Sequence, residues 1–183
     1  MNGAMISVQA RQSLERVLRR AVESRLVLAD GDACEMTRLD MPPARDAHDD
    51  VVVALTISSM GFRYMLFLRF RDDAASAGYF ARGNAGALRD ALLELGNLCC
   101  GAINQDLVRH FPDLGMSTPY VLGGQSLRHV DSLRPDYRAD FDVVIASSVG
   151  VGVTMCMFTR VPVDFQLSTE IEQDTSEGEL ELF

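Results

Sequence analysis

Apolar residues first recur at helical spacing between residues 6 and 28, where Val8, Leu14, Val17, Leu18, Val22 and Leu26 are separated by Arg and Glu. This pattern predicts an amphipathic helix. After turn signals at Asp30-Gly31 and Pro42-Pro43, with CEMTRLDM at 34–41 as a short edge strand between them, the period changes. VVVALTISS at 51–59 and FRYMLFLRF at 62–70 are apolar, β-rich runs separated by Met60-Gly61, and they predict a hairpin. DDAASAGYFAR at 72–82 reads as a short helix capped by Asp72 or Asp73, with Gly83 at its end and Asn84 as the next cap. A longer helix is expected from about 85 to 110, before Pro112. Beyond it lie STPYVLGG at 117–124, a strand-like SLRHV at 126–130, and a second apolar hairpin over 140–161 with its turn near Val149-Gly150.

Helix, hairpin, helix, hairpin implies an α+β fold: a two-layer structure with a mainly antiparallel sheet built from the hairpins and helices packed on one face. TISSMG at 56–61 and IASSVG at 145–150 occupy matching places, a hint of internal duplication.

At 183 residues and 48% hydrophobic, the chain can bury one sizeable core. A single domain is expected over 1–163, followed by an acidic segment, 164–183, that holds no Lys or Arg. The formal charge of −9 argues against nucleic acid or an anionic bilayer as partner. No run of about 18 apolar residues occurs, and residues 1–20 alternate charge with hydrophobe, so a cytoplasmic protein is expected. Cys34, Cys99, Cys100 and Cys156 form no C-x-x-C, and His48, His110 and His129 show no ligand spacing. Reduced, mostly buried thiols and no metal site are the expectation.

The long helix is the chemically interesting element. Leu88, Leu92, Leu95, Cys99 and Ile103 fall on one stripe at 100° per residue, and Asp90, Glu94, Asn97, Gly101 and Asn104 on the opposite one, with Cys100 at its edge. The polar stripe is either a solvated face or a docking surface. It lacks the Lys and Arg that usually alternate with Glu on a solvated helix. Gly96 and Gly101 each cost roughly 1 kcal/mol relative to Ala, which signals tight packing or close approach by a partner. Leu93 and Cys100 flank the stripe as ordinary half-buried residues or as an apolar rim. A thiol enzyme or redox sensor using Cys99 and Cys100 is the alternative from another class, and no histidine lies locally to support it.

Asp90, Glu94, Asn97 and Pro119 fit the pattern D/S-x3-E-x2-N-x21-P, and ELGNLCCG with STPYVLGG resembles the signature of the CheC, CheX and FliY family of response-regulator phosphatases. The order of elements over 6–161 is similar too, and a single copy of the motif places the resemblance nearest the CheX branch. The resemblance implies hydrolysis of the phosphoaspartate of a CheY-like receiver, with Glu94 pairing to a receiver lysine and the Asn97 amide orienting the attacking water. It implies no cofactor of the chain's own, Mg²⁺ being carried by the receiver, and a homodimer. Asp90, Leu93 and Gly101 become candidate partner contacts, while Pro119 reads as architectural because proline fixes chain direction and has no donor. A non-catalytic relative that binds a partner in chemotaxis or the flagellar switch is the other reading.

Overall fold

The computed structural model describes residues 5–41 and 50–167; the Pro42-Pro43 turn, His48 and the acidic residues after Leu167 fall outside them. Helix α1 spans Val8–Arg25, and its N-terminus is capped by the Ser7 hydroxyl, which accepts from the Ala10 N–H at 3.0 Å. The helix is shorter than its periodicity predicts at both ends. Val8, assigned to the apolar stripe, is 68% exposed, whereas Ile6 before the cap is buried and bridges to Val163. The buried row of α1 is Ala10, Ser13, Leu14, Val17, Leu18, Ala21 and Val22.

The strands are β1 (Cys34–Leu39), β2 (Val51–Ser58), β3 (Phe62–Phe70), β4 (Gly115–Met116), β5 (Tyr120–Gly123), β6 (Tyr137–Ile145) and β7 (Val149–Thr159). Both expected hairpins form, β2 with β3 and β6 with β7, and β3 pairs with β7 at the centre of a seven-stranded antiparallel sheet ordered β1-β6-β7-β3-β2-β4, with β5 also on β2. Each half crosses to the other: β1 pairs with β6 of the second hairpin, and β4 and β5 pair with β2 of the first. The internal duplication hinted at by the turns is therefore visible in the topology.

Helices α1 and α3 (Leu88–Val108) cover one face of the sheet. Val53, Leu55, Ile57, Tyr64, Leu66 and Leu68 pack beneath them in the main core. On the opposite face Val52, Ala54, Phe67 and Cys156 form a second cluster with Leu127 and Val130. A strand read as an unbroken apolar run because both of its faces are covered. The cover on this second face corrects an expectation: SLRHV is not a strand but lies in a 3-10 segment, Gly124–Leu133. With three residues per turn, Leu127 and Val130 come onto one side and reach the sheet together, which strand alternation would not allow.

Short α2 (Ala74–Phe80) is capped by Asp73, whose carboxylate accepts from the Ser76 N–H at 2.8 Å. Asn84 caps a 3-10 turn, Ala85–Ala87, so the long helix expected from 85 becomes α-helical at Leu88. The packed chain runs past Val163 along α1 to Leu167, with Phe165 and Leu167 buried. Among the described residues no helix is long and apolar enough to cross a membrane.

Candidate functional site

The stripe that holds α3 down is the one its periodicity indicates: Leu88, Leu92, Leu95, Cys99 and Ile103 are all buried. Burying side chains of this kind is worth roughly 1.5–3 kcal/mol each, which makes α3 a firmly seated platform. The contact is wider than one stripe, because α3 packs on α1 along one side and on β2 along the other. Gly96 faces β2: a Cβ there would stand 2.6 Å from Val53 Cγ1 and 3.3 Å from Leu55 Cδ1. Its missing side chain lets the helix axis approach the sheet. Cys100, one turn further on, is buried rather than at the margin of the polar stripe, so the assignment to an apolar rim is corrected.

On the outward side Asp90 and Glu94 are exposed, and Leu93, Asn97, Gly101 and Asn104 are half-buried. Glu94 and Asn97 stand three residues apart, one helical turn, and neither side chain has a hydrogen bond or ion pair among the described residues. Asp90 lies in the first turn of α3, where a carboxylate also complements the helix dipole. A Cβ on Gly101 would meet nothing within 4 Å, so packing among the described residues does not explain that glycine. The apolar residue that sequence reasoning missed is Leu98, 42% exposed and one turn after Glu94. Its exposure was legible from its place between the two stripes, four residues on from Glu94. The outward face is thus an open polar strip with Leu93 on one flank and Leu98 on the other.

Pro119 is tied to this helix through the sheet edge. From Ile57 to Ala54 the chain advances three residues along β2, while the opposing chain advances four, from Met116 to Tyr120. That extra residue is a bulge at Thr118-Pro119, opposite Leu55, and it is anchored by Ser117, whose N–H donates to Thr56 O at 2.9 Å and whose hydroxyl accepts from Thr56 N at 3.0 Å. Proline suits such a position, since its absent N–H would have no ladder partner. Leu55 in turn lies under Gly96, the residue before Asn97.

Helix α1 provides an internal comparison. Its buried positions Ala10, Ser13, Leu14, Val17, Leu18 and Ala21 have the same spacing as Leu92, Leu95, Gly96, Cys99, Cys100 and Ile103 of α3. In that register Gln12 and Glu15 stand where α3 has Glu94 and Asn97. There the carboxylate is engaged: Glu15 accepts from both the Tyr137 hydroxyl and Arg38, and Arg11 lies over the Tyr137 ring at 5.1 Å, while Gln12 is exposed. Of these two helices, α3 is the one whose carboxylate and amide both lack a hydrogen-bond or ion-pair partner among the described residues.

Burial drives the thiols of Cys99, Cys100 and Cys156 up to about 12, and Cys34 is also raised, chiefly by desolvation. Such groups stay protonated and are poor nucleophiles near neutrality, which removes the basis of the thiol reading. Among the described residues no group of three His, Cys, Asp or Glu could hold a metal ion.

No protein-family model matches the sequence, and comparison with curated proteins finds no match. Solved structures do match. A CheX from Borrelia burgdorferi, described as a CheX-CheY-BeF3-Mg complex, aligns with a TM-score of 0.58 and 10% identity over 82% of this chain and 99% of that one. A CheC-like superfamily protein from Shewanella gives 0.55 and 12% identity over 83% of this chain and 99% of that one. CheX from Vibrio vulnificus gives 0.51 and 13% identity over 80% and 97%.

Proposed function

We propose that this chain, which has the fold of the CheX and CheC-like chemotaxis proteins, is a phosphatase acting on the phosphoaspartate of a CheY-like receiver domain. The observation that carries the reading is the free pair Glu94 and Asn97, one turn apart on the open face of a helix whose other face is buried. The neighbour described as a complex of CheX with CheY supports the class of partner.

An acyl phosphate is already activated toward hydrolysis, so the main task is to place one water in line with phosphorus and restrict its freedom. Asn97 suits this role. Its amide offers both a donor and an acceptor to water and carries no charge, where a second carboxylate would be repelled by the phosphoryl group. Glu94 pairs with a cation of the receiver and sets the position of the helix over the phosphorylated aspartate. Gly101 leaves room for the partner's surface, Leu93 and Leu98 border the contact, and Asp90 adds a further contact at the start of the helix. Any Mg²⁺ belongs to the receiver; this chain supplies positioning groups and no cofactor. A cytoplasmic homodimer is part of the proposal, since β1 and the β4–β5 edge are sheet edges through which two copies could pair.

The test is a phosphotransfer assay against the receiver domains of the same genome. The proposal expects the protein to hasten loss of phosphate from at least one of them in Mg²⁺. Failure to hasten it in any would leave a binding role on the same fold.

A further inference from the structure

The outward strip of α3 does not end at Asn97. Asp90, Glu94, Asn97, Gly101, Asn104 and Val108 follow one another at alternating steps of four and three residues, which matches the helical repeat and keeps them on one line for about 27 Å. Asp90, Glu94 and Val108 are exposed, and Asn97, Gly101 and Asn104 are half-buried. Asn104 stands two turns beyond Asn97, about 10 Å further along the axis and about 20° round it. Gly101 lies between them, and since a Cβ there would meet nothing within 4 Å, the strip dips between two amides.

Asn104 Oδ1 is buried and has no hydrogen-bond partner among the described residues. That is costly, because the oxygen gives up water and gains no donor. The other buried side-chain atoms in this state are Arg11 Nε, Arg16 Nε and the Tyr64 hydroxyl. Both arginines belong to α1 and Tyr64 is sealed in the core, so Asn104 is the one on the outward strip. The fold itself does not call for an amide here. In the register that aligns α1 with α3, Asn104 corresponds to Val22, which is fully buried, so the same place on the other helix takes an apolar side chain.

We infer that Asn104 is a specificity-determining residue of the receiver-binding surface, its carbonyl accepting a hydrogen bond from an N–H or O–H of the receiver where that partner crosses α3 at Gly101. This rests on the reading that the outward face of α3 meets the receiver. The terminal torsion of asparagine is soft and roughly two-fold, and the side chain is half-buried, so its oxygen can turn to a donor laid in the Gly101 dip. The amide is unsatisfied in the free chain and satisfied in the complex. A receiver that brings an apolar or acidic group to this point leaves it unsatisfied and binds less well. Asn104 lies too far along the helix to touch the water held by Asn97, so it selects the partner and leaves the chemistry to Asn97.

The experiment measures three quantities in Asn104→Val and Asn104→Ala: kcat and KM for the receiver that the wild-type chain dephosphorylates, affinity for receivers carrying Mg²⁺ and beryllofluoride, and thermal unfolding. Valine is the residue of α1, and alanine adds no bulk that could clash with the partner. Both variants should raise KM and the dissociation constant about five- to tenfold, as expected for losing one hydrogen bond and leaving its donor unpaired. At saturation kcat should be unchanged. Asn104→Val should unfold at the wild-type temperature or above it, because it deletes an unsatisfied buried oxygen. Unchanged KM and affinity in both folded variants would overturn the proposal. So would a lower unfolding temperature in Asn104→Val, which would assign the amide to the fold, or a fall in kcat at saturation, which would assign it to the chemistry. If the wild-type chain hastens phosphate loss from no receiver, the phosphatase reading has failed and the affinity measurement still decides. The same weakening then supports the Asn104 surface, while equal affinity, or no receiver bound by the wild type, overturns it.

Discussion

Gly96 of α3 and Val53 of β2 are in contact so close that a Cβ on the glycine would stand 2.6 Å from Val53 Cγ1. The helix bearing Glu94 and Asn97 is seated on the sheet at a distance only glycine permits, and the valine, branched at Cβ, has little freedom to yield. Gly96→Ala should therefore destabilise the protein by about 1–3 kcal/mol despite its better helix propensity. Gly101→Ala, where nothing lies within 4 Å, should stabilise it by roughly 0.5–1 kcal/mol. Urea unfolding of the two variants reads both signs, and equal effects would show that the glycines are not distinguished by packing.

Much of this was legible in the pattern of residues and some was not. The Leu-Leu-Leu-Cys-Ile stripe of α3 and both hairpins follow from periods of 3.6 and 2. Cys100 was misplaced because a wheel assumes one neighbour, while α3 has a helix on one side and a strand on the other. SLRHV was misread because two apolar residues three apart suit a short 3-10 segment as well as an irregular strand, and only the second cluster on the far face decides between them. For the candidate site, the spacing of Glu94 and Asn97 was readable, but that Glu15 on the matching face of α1 is engaged depends on Tyr137 and Arg38, distant in sequence.

Burial also ties stability to pH. Cys99, Cys100 and Cys156 have thiols raised to about 12, and Tyr137 is raised to about 12, first by desolvation and then by the Glu15 carboxylate it donates to. A group with a raised folded value binds its proton more tightly in the native state, so its contribution is complete below the unfolded value and is lost as pH climbs through the folded one. Stability should be level up to about pH 8.5 and fall between about pH 9 and 12. Replacing Cys99 and Cys100 with alanine should flatten part of that fall while leaving receiver dephosphorylation in place; its disappearance would revive the thiol reading.

The engaged carboxylate of α1 yields a control. Tyr137→Phe removes a hydrogen bond to a charged group and should cost about 1.5–3 kcal/mol of stability. Receiver dephosphorylation below the new midpoint should be unchanged. A loss of turnover in a folded Tyr137→Phe protein would mean that α1, not α3 alone, meets the partner.

Glu94→Ala should weaken receiver binding with little change in stability, because the side chain is exposed and makes no hydrogen bond or ion pair among the described residues. The loss should be largest at low salt, where pairing with a receiver cation is least screened. Titration of a receiver bearing a phosphoryl mimic checks this, and affinity equal to wild type at low salt would remove the docking role.

The most direct measurement of the central claim is the rate of phosphate loss from the cognate phosphorylated receiver with Asn97→Ala, alongside its thermal unfolding. The account predicts that catalysis falls to the receiver's own rate while the unfolding curve overlays wild type, since the half-buried Asn97 amide has no hydrogen-bond partner among the described residues. Undiminished turnover in the folded variant would contradict it.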